Sequence, residues 1–321
     1  MRAVTVIIMI IVIFALLLAA AGWWVFYFAC VRSANSRVGL AALGMGRRKR
    51  SADADTAQAQ NYTDVIRAGL AWFNAQEKER VYITCWDGTT LAADVLPAEN
   101  ERGVILLFHG YRAEPAHDFS AVYRFYHELG YTLVSVHQRA HGDSGGQYIC
   151  LGVKERYDCR DWALWALDRF GADTDVFLGG ISMGAAMVLM AAGLALPQNV
   201  RGIIADCGYV SAYEEIASIL DKIPPRPLLD IVQFFTRAAA GFGLNDASTE
   251  SALAKAKIPV LLVHGAADSM VPPECSVRSC AACAGEKHLL IVPDAGHGMS
   301  YLRAPDRCRA ELQQFLLSHG R

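Results

Sequence analysis

The sequence predicts an α/β domain, with a mostly parallel central sheet, helices on both faces and a small helical cap, behind an N-terminal transmembrane helix. Three observations carry this. Residues Ala3 to Val31 include no charged side chain, a run longer than the roughly 20 apolar residues that cross about 30 Å of hydrocarbon. From Val81 onward, short apolar runs rich in β-branched residues alternate with helix-like segments, as in a parallel sheet buried on both faces. The interval between Asp206 and Ile258 is too long for an ordinary crossover and calls for an insertion.

Within the first element, Trp23, Trp24, Phe26, Tyr27 and Phe28 crowd the C-terminal end, where amphipathic rings settle at the headgroup level. Ala19–Ala21 offers a small-residue cleavage site for a signal peptidase. Secretory apolar regions are shorter, however, and this one continues through Phe28, so residues 1–31 read as an uncleaved anchor. Arg2 alone precedes the span, whereas Arg32, Arg37 and the cluster Arg47–Arg50 follow it. The positive-inside rule then predicts a cytoplasmic C-terminal domain, with an extracytoplasmic one as the alternative. Nine cysteines, an odd number without the spacing of a small disulfide scaffold, read as reduced thiols. The basic cluster reads as juxtamembrane charge beside anionic lipid. A net charge of −2 with the other basic residues scattered argues against a nucleic-acid partner.

Residues 32–60, basic and rich in Ala, Gly, Ser, Asp and Gln, read as a flexible linker to a domain over 61–321. An amphipathic helix is expected over about 61–79. "VYITC" and "TLAADV", on either side of Asp87-Gly88, predict a hairpin. Strands follow at 104–108, 132–136, 175–179, 202–205, 259–263 and 288–292, and helices at 118–129, 155–170, 183–196 and 303–318. The long interval holds Tyr209, Tyr213, Ile219, Leu228, Phe234, Phe235 and Phe242, which predict a helical cap over about 208–250. Such an insertion either walls a substrate pocket or is an extra packed helical pair.

Two serines compete for chemistry. Ser144 lies in "HGDSGGQ", whose letters resemble those around the nucleophile of chymotrypsin-like proteases. That reading needs an antiparallel barrel and partners in the order His, Asp, Ser. Here a strand leads into the loop and an amphipathic helix leaves it, so Ser144 reads as a loop hydroxyl. Ser182, in "GGISMGA", has the required context: the strand "DVFLGGI" enters it and the helix "MGAAMVLMAAGLA" leaves it. A G-x-S-x-G elbow puts the serine in an unfavourable backbone conformation, and Gly180 and Gly184 remove side chains that would collide across the turn.

Partners lie downstream. Asp268 follows the strand "PVLLV" and His297 follows "HLLIV", giving the chain order Ser, Asp, His of α/β-hydrolases at the strand ends where such sheets place ligands. The oxyanion hole is assigned to the backbone N–H groups of Met183, after the nucleophile, and of Tyr111, in the loop after "VILLF". Alternatives remain for two positions: His109 in place of His297, and Asp206 in place of Asp268.

On "LLFHGYRAE", "HQRAHGDSGGQY", "GGISMGAAMVL", "IIADCGY", "IPVLLVHGAADSMVP" and "PDAGHGMSY", residues 81–318 resemble an α/β-hydrolase of the lysophospholipase and serine-aminopeptidase-like branch, and most closely its small bacterial members with an N-terminal membrane segment. The resemblance implies Ser182 as nucleophile, His297 as base and acid, Asp268 as orienter, and the loop around Ser144 as a structural turn. His137 stands where relatives commonly carry an acid, which leaves the bonding of that loop open.

The expected activity is that of a membrane-anchored serine hydrolase cleaving carboxyl esters or related acyl compounds, with a small-molecule, lipid-like ester as partner. No metal or organic cofactor is required by that chemistry. A peptidase and a catalytically silent interaction module are the alternatives. Cys275, Cys280, Cys283 and Cys308 raise zinc, but a single C-x-x-C pair equally suits a helix that uses cysteine as a small buried residue.

Overall fold

A computed structural model describes residues 2–32, 56–220 and 225–321. Most of the expected linker, including Arg37 and the Arg47–Arg50 cluster, lies outside the described residues. In chain order the elements are α1 (Arg2–Cys30), α2 (Thr56–Ala75), β1 (Glu79–Thr84), β2 (Thr90–Leu96), β3 (Gly103–Phe108), α3 (Pro115–Asp118), α4 (Tyr123–Glu128), β4 (Tyr131–His137), α5 (Glu155–Phe170), β5 (Val176–Ile181), α6 (Met183–Ala191) and β6 (Val200–Asp206). There follow α7 (Ala212–Ile219), α8 (Pro225–Phe235), a π-helical turn (Thr236–Ala240), α9 (Thr249–Leu253), β7 (Val260–Gly265), α10 (Glu274–Ala282), β8 (Lys287–Val292), α11 (Ser300–Arg303) and α12 (Pro305–His319).

The eight strands form one sheet in the order β1-β2-β4-β3-β5-β6-β7-β8. β2 runs antiparallel to β1 and β4, and every other pair is parallel. β3 is buried at every position, so its two faces feed two cores, as the period of two along a strand requires. Val104, Leu106 and Phe108 pack with Trp162 of α5 and Val188 of α6. Ile105 and Leu107 pack with Phe73 of α2, Tyr123 of α4 and Phe315 of α12. The edge strand β1 alternates between exposed and half-buried positions, consistent with one solvated face.

The helix expected over 118–129 is two short helices. Its chain turns at Phe119–Val122, and the Asp118 carboxylate accepts the N–H of Gly110 at 2.7 Å, tying this segment to the loop after β3. The helix expected over 61–79 begins earlier, at Thr56, and docks where Gly69 leaves no room for a Cβ, which would meet the Ser120 carbonyl at 2.0 Å.

α1 is long and apolar enough to cross a membrane, with a mean hydropathy of 3.2 over its most apolar window. Its last turns behave differently. Val25, Phe26, Ala29 and Cys30 are buried in a third core shared with Met183, Met190, Leu229 and Val232. Trp23 packs edge-on against Phe235, with ring centroids 5.1 Å apart. Past the helix, Val31 bridges Tyr148, and Cys30 O accepts from Ile149 N–H at 2.6 Å.

Candidate active site

β5 delivers Ser182 to the C-terminal edge of the sheet and α6 leaves at once. Ser182 has φ 55° and ψ −114°, a region that disfavours side-chain-bearing residues. The neighbouring glycines make the turn possible. A Cβ on Gly184 would stand 1.9 Å from the Phe108 carbonyl oxygen, and one on Gly180 would stand 2.4 Å from the backbone of Gly184.

His297, after β8, bridges two partners. Its Nε2 lies 2.9 Å from Ser182 Oγ and its Nδ1 lies 2.7 Å from Asp268 Oδ2. The remaining oxygen, Asp268 Oδ1, accepts the N–H groups of Met270 and Val271 at 2.8 and 3.0 Å. Burial opposes charge on Asp268, but hydrogen bonds from His264 and His297, and the attraction of His297, hold its carboxyl well below the usual range. Burial likewise opposes protonation of His297, and the Asp268 bond and charge overcome it, raising the imidazole above its ordinary value. The histidine side chain keeps 18% exposure while that of Asp268 keeps none. A serine hydroxyl, a base and a buried anion are thus in line, with the ring reachable from outside.

The competing residues are engaged elsewhere. Ser144 is 1% exposed; its Oγ accepts Ala92 N–H at 2.8 Å and donates to the His137 carbonyl. His109 is fully buried, its Nδ1–H donating to Gly110 O at 2.8 Å and its Nε2 accepting from Gln138 N–H at 3.2 Å. Asp206 receives the Ser300 hydroxyl at 3.2 Å rather than the histidine, and burial pushes its carboxyl up to about 6. Cys308 donates to Ser300 O from α12, whereas Cys283 donates to Gly285 O beyond α10.

Among the described residues, two groups offer donor atoms within 4.8 Å of one another. One is Cys207, Asp268 and His297; the other is the exposed Glu286 with His288 and the half-buried His319. In the first, both ring nitrogens of His297 already face Ser182 and Asp268.

Met183 opens α6, so its N–H belongs to the first turn and has no partner within the helix. The loop carrying Tyr111 lies close by: a Cβ on Gly110 would come within 3.5 Å of Ser182 Cβ. Sequence reasoning missed what holds this loop. Arg112 has φ 52°, and its N–H donates to His141 Nε2 at 3.0 Å. His141 Nδ1–H donates to Arg139 O at 2.9 Å. Burial pushes His141 down to about 4, which keeps the ring neutral and able to accept. Arg139 in turn is clamped by Asp158 at 2.6 and 2.7 Å and by Asp87 at 3.0 Å. Glu215 of α7 was also missed; burial pushes its carboxyl up to about 7, with His297 and Asp268 the charges it senses.

A model of the alpha/beta hydrolase fold matches residues 103–253, and one described as TAP-like protein matches residues 243–321. Among curated proteins, the chain is 25% identical over 273 residues to the uncharacterised YqkD of Bacillus subtilis, covering 84% of this chain and 88% of that protein. It is 26% identical over 251 residues to the uncharacterised YfhR of Escherichia coli K12, covering 75% and 81%. Among solved structures, an esterase of Pyrococcus furiosus superposes with a TM-score of 0.62 at 21% identity, covering 76% of this chain and 93% of that one. Est1E of Butyrivibrio proteoclasticus, solved with ferulic acid bound, gives 0.57 at 20%, covering 74% and 98%.

Proposed function

Because the chain belongs to the α/β-hydrolase superfamily, we propose that it is a membrane-anchored serine hydrolase that cleaves carboxyl esters through an acyl-enzyme on Ser182. One observation carries the reading: His297 bonds Ser182 Oγ and Asp268 simultaneously, with the serine on a strained elbow. In this mechanism His297 takes the Ser182 proton as Oγ attacks the acyl carbonyl, and then protonates the departing alcohol. Asp268 fixes the imidazole tautomer and stabilises the imidazolium. The N–H groups of Tyr111 and Met183 receive the oxyanion. Water, deprotonated by His297, then releases the acid. Ester over amide is favoured by the Pyrococcus furiosus esterase among the structural neighbours. We assign residues 1–31 to the anchor and about 208–250 to the cap. The domain is assigned to the cytoplasmic side by the basic residues that follow the span.

Glu215 favours a second reading, a peptidase-like hydrolase of substrates with a free amine. Its carboxylate accepts no side-chain hydrogen bond among the described residues and lies within electrostatic reach of His297, so it would receive an ammonium group. The test is labelling by a fluorophosphonate probe, then turnover of p-nitrophenyl butyrate against alanine p-nitroanilide. Ser182→Ala should abolish labelling and Ser144→Ala should retain it. Labelling that survives Ser182→Ala would falsify the assignment, and faster turnover of the anilide would replace the ester reading with the peptidase one.

A further inference from the structure

We propose that the last turn of α1 is a working part of the active site. Its carbonyl groups position the loop that carries Tyr111, and Arg112 is the positioning residue that joins them. The inference rests on the serine-hydrolase reading above and extends it to the segment that sequence alone assigns to anchoring.

The final carbonyl groups of a helix have no partner within it and carry its negative dipole end. In α1 two of those groups, the carbonyls of Phe28 and Ala29, are taken by the loop after β3. The Tyr111 hydroxyl donates to Ala29 O at 2.9 Å and to Phe28 O at 3.1 Å. Arg112 Nη2 donates to Phe28 O at 3.0 Å and to Val31 O at 2.8 Å, and its Nε donates to the Tyr111 hydroxyl oxygen at 2.8 Å. A planar guanidinium fork can hold all three acceptors together, which an ammonium cannot. These bonds lock both side chains that flank the proposed oxyanion donor, and they hold Arg112 at its positive φ.

A second route reaches the same loop from the residues just past the helix. Arg32 donates to Ser144 O at 2.6 Å and to Gly142 O at 2.7 Å, fixing the segment whose His141 accepts the Arg112 N–H. Phe26 and Cys30, both fully buried, seat the helix end so that these carbonyls cannot drift. Residues from about Gly22 to Arg32 therefore serve the catalytic domain as well as the anchor. An oxyanion donor acts only when aimed at the position the oxyanion will occupy, and losing one costs about 10²- to 10³-fold in kcat. A donor that is displaced part of the time loses a fraction of that.

The experiment uses the full-length chain in detergent, with p-nitrophenyl butyrate as substrate and an alkylboronic acid as mimic of the tetrahedral intermediate. Arg112→Ala should lower kcat about 10- to 100-fold with KM nearly unchanged, and weaken boronate binding in the same proportion. Arg112→Lys should restore part of both. Tyr111→Phe removes one hydroxyl and keeps the backbone donor, so it should move kcat in the same direction even where Arg112→Ala fails to fold. Wild-type kcat and boronate affinity in a folded Arg112→Ala or Tyr111→Phe protein, or a loss confined to KM, would overturn the inference alone. Wild-type protein that fluorophosphonate does not label would remove the serine-hydrolase reading and this inference with it.

Discussion

Burial acts alike on His141, Asp268 and Glu215, and what each finds to bond decides its charge. His141 has a carbonyl on one nitrogen and an N–H on the other, which suits only the neutral ring. Asp268 has two backbone N–H groups and His297, which suit only the carboxylate. Glu215 finds neither among the described residues, and burial pushes its carboxyl up to about 7. A carboxyl whose folded pKa is raised contributes stability below its unfolded value of 4.5, and loses it as pH climbs through about 7. Glu215→Gln should therefore raise the denaturation midpoint at pH 8 and leave it near wild type at pH 5. Moving the carboxyl from 4.5 to about 7 corresponds at most to about 3.5 kcal/mol. Because Glu215 is one of the charges raising His297, the same variant should move the acid limb of kcat/KM to lower pH. A limb that stays in place would mean the two groups do not sense each other. That Ser182, Asp268 and His297 meet was legible because motif and chain order name them. His141, Arg112 and Glu215 were not, since their roles come from contacts between segments far apart in sequence.

Among the elements, the elbow is the least tolerant junction and the β1–β2 turn among the most. Gly184→Ala sets a Cβ against the Phe108 carbonyl, whereas Gly88, at φ 81°, has nothing within 4 Å of the added atom. Gly88→Ala should cost about 1 kcal/mol for its left-handed backbone. Gly184→Ala should cost more than about 4 kcal/mol or abolish folding, read from urea midpoints of the two variants. Equal midpoints would mean the strand-to-helix junction relaxes freely. The sheet was legible because its strands are short apolar runs; the hairpin and α5 were legible too. The expected helix over 183–196 stops at Ala191, where the chain turns through Gly193, a break that an unbroken apolar run conceals. The docking of α1 was illegible for a plainer reason: Val25, Phe26 and Ala29 suit lipid and protein equally, so hydropathy cannot tell which one they meet.

At the scale of the whole molecule, the length of α1 constrains where the catalytic domain sits. Residues Ala3 to Leu17 are exposed, and at 1.5 Å per residue they extend only about 22 Å. A hydrocarbon core of about 30 Å must then reach the level of Leu18 to Gly22. There α8 crosses so closely that a Cβ on Gly22 would collide with Ile231. Phe234, on the same helix, is 64% exposed and packs on Phe235, which meets Trp23. If α1 spans a bilayer, Phe234 lies at its boundary, and the cap rests on the membrane as a surface rather than hanging from it by a tether. Phe234→Glu should then slow hydrolysis of a long-chain ester presented in vesicles severalfold while leaving soluble p-nitrophenyl butyrate untouched. It should also reduce the quenching of Trp23 and Trp24 by brominated lipid, because a carboxylate at that level pulls the cap outward. Equal rates on both substrates together with unchanged quenching would place the boundary below α8, and the short exposed run of α1 would have to be met by local thinning of the bilayer.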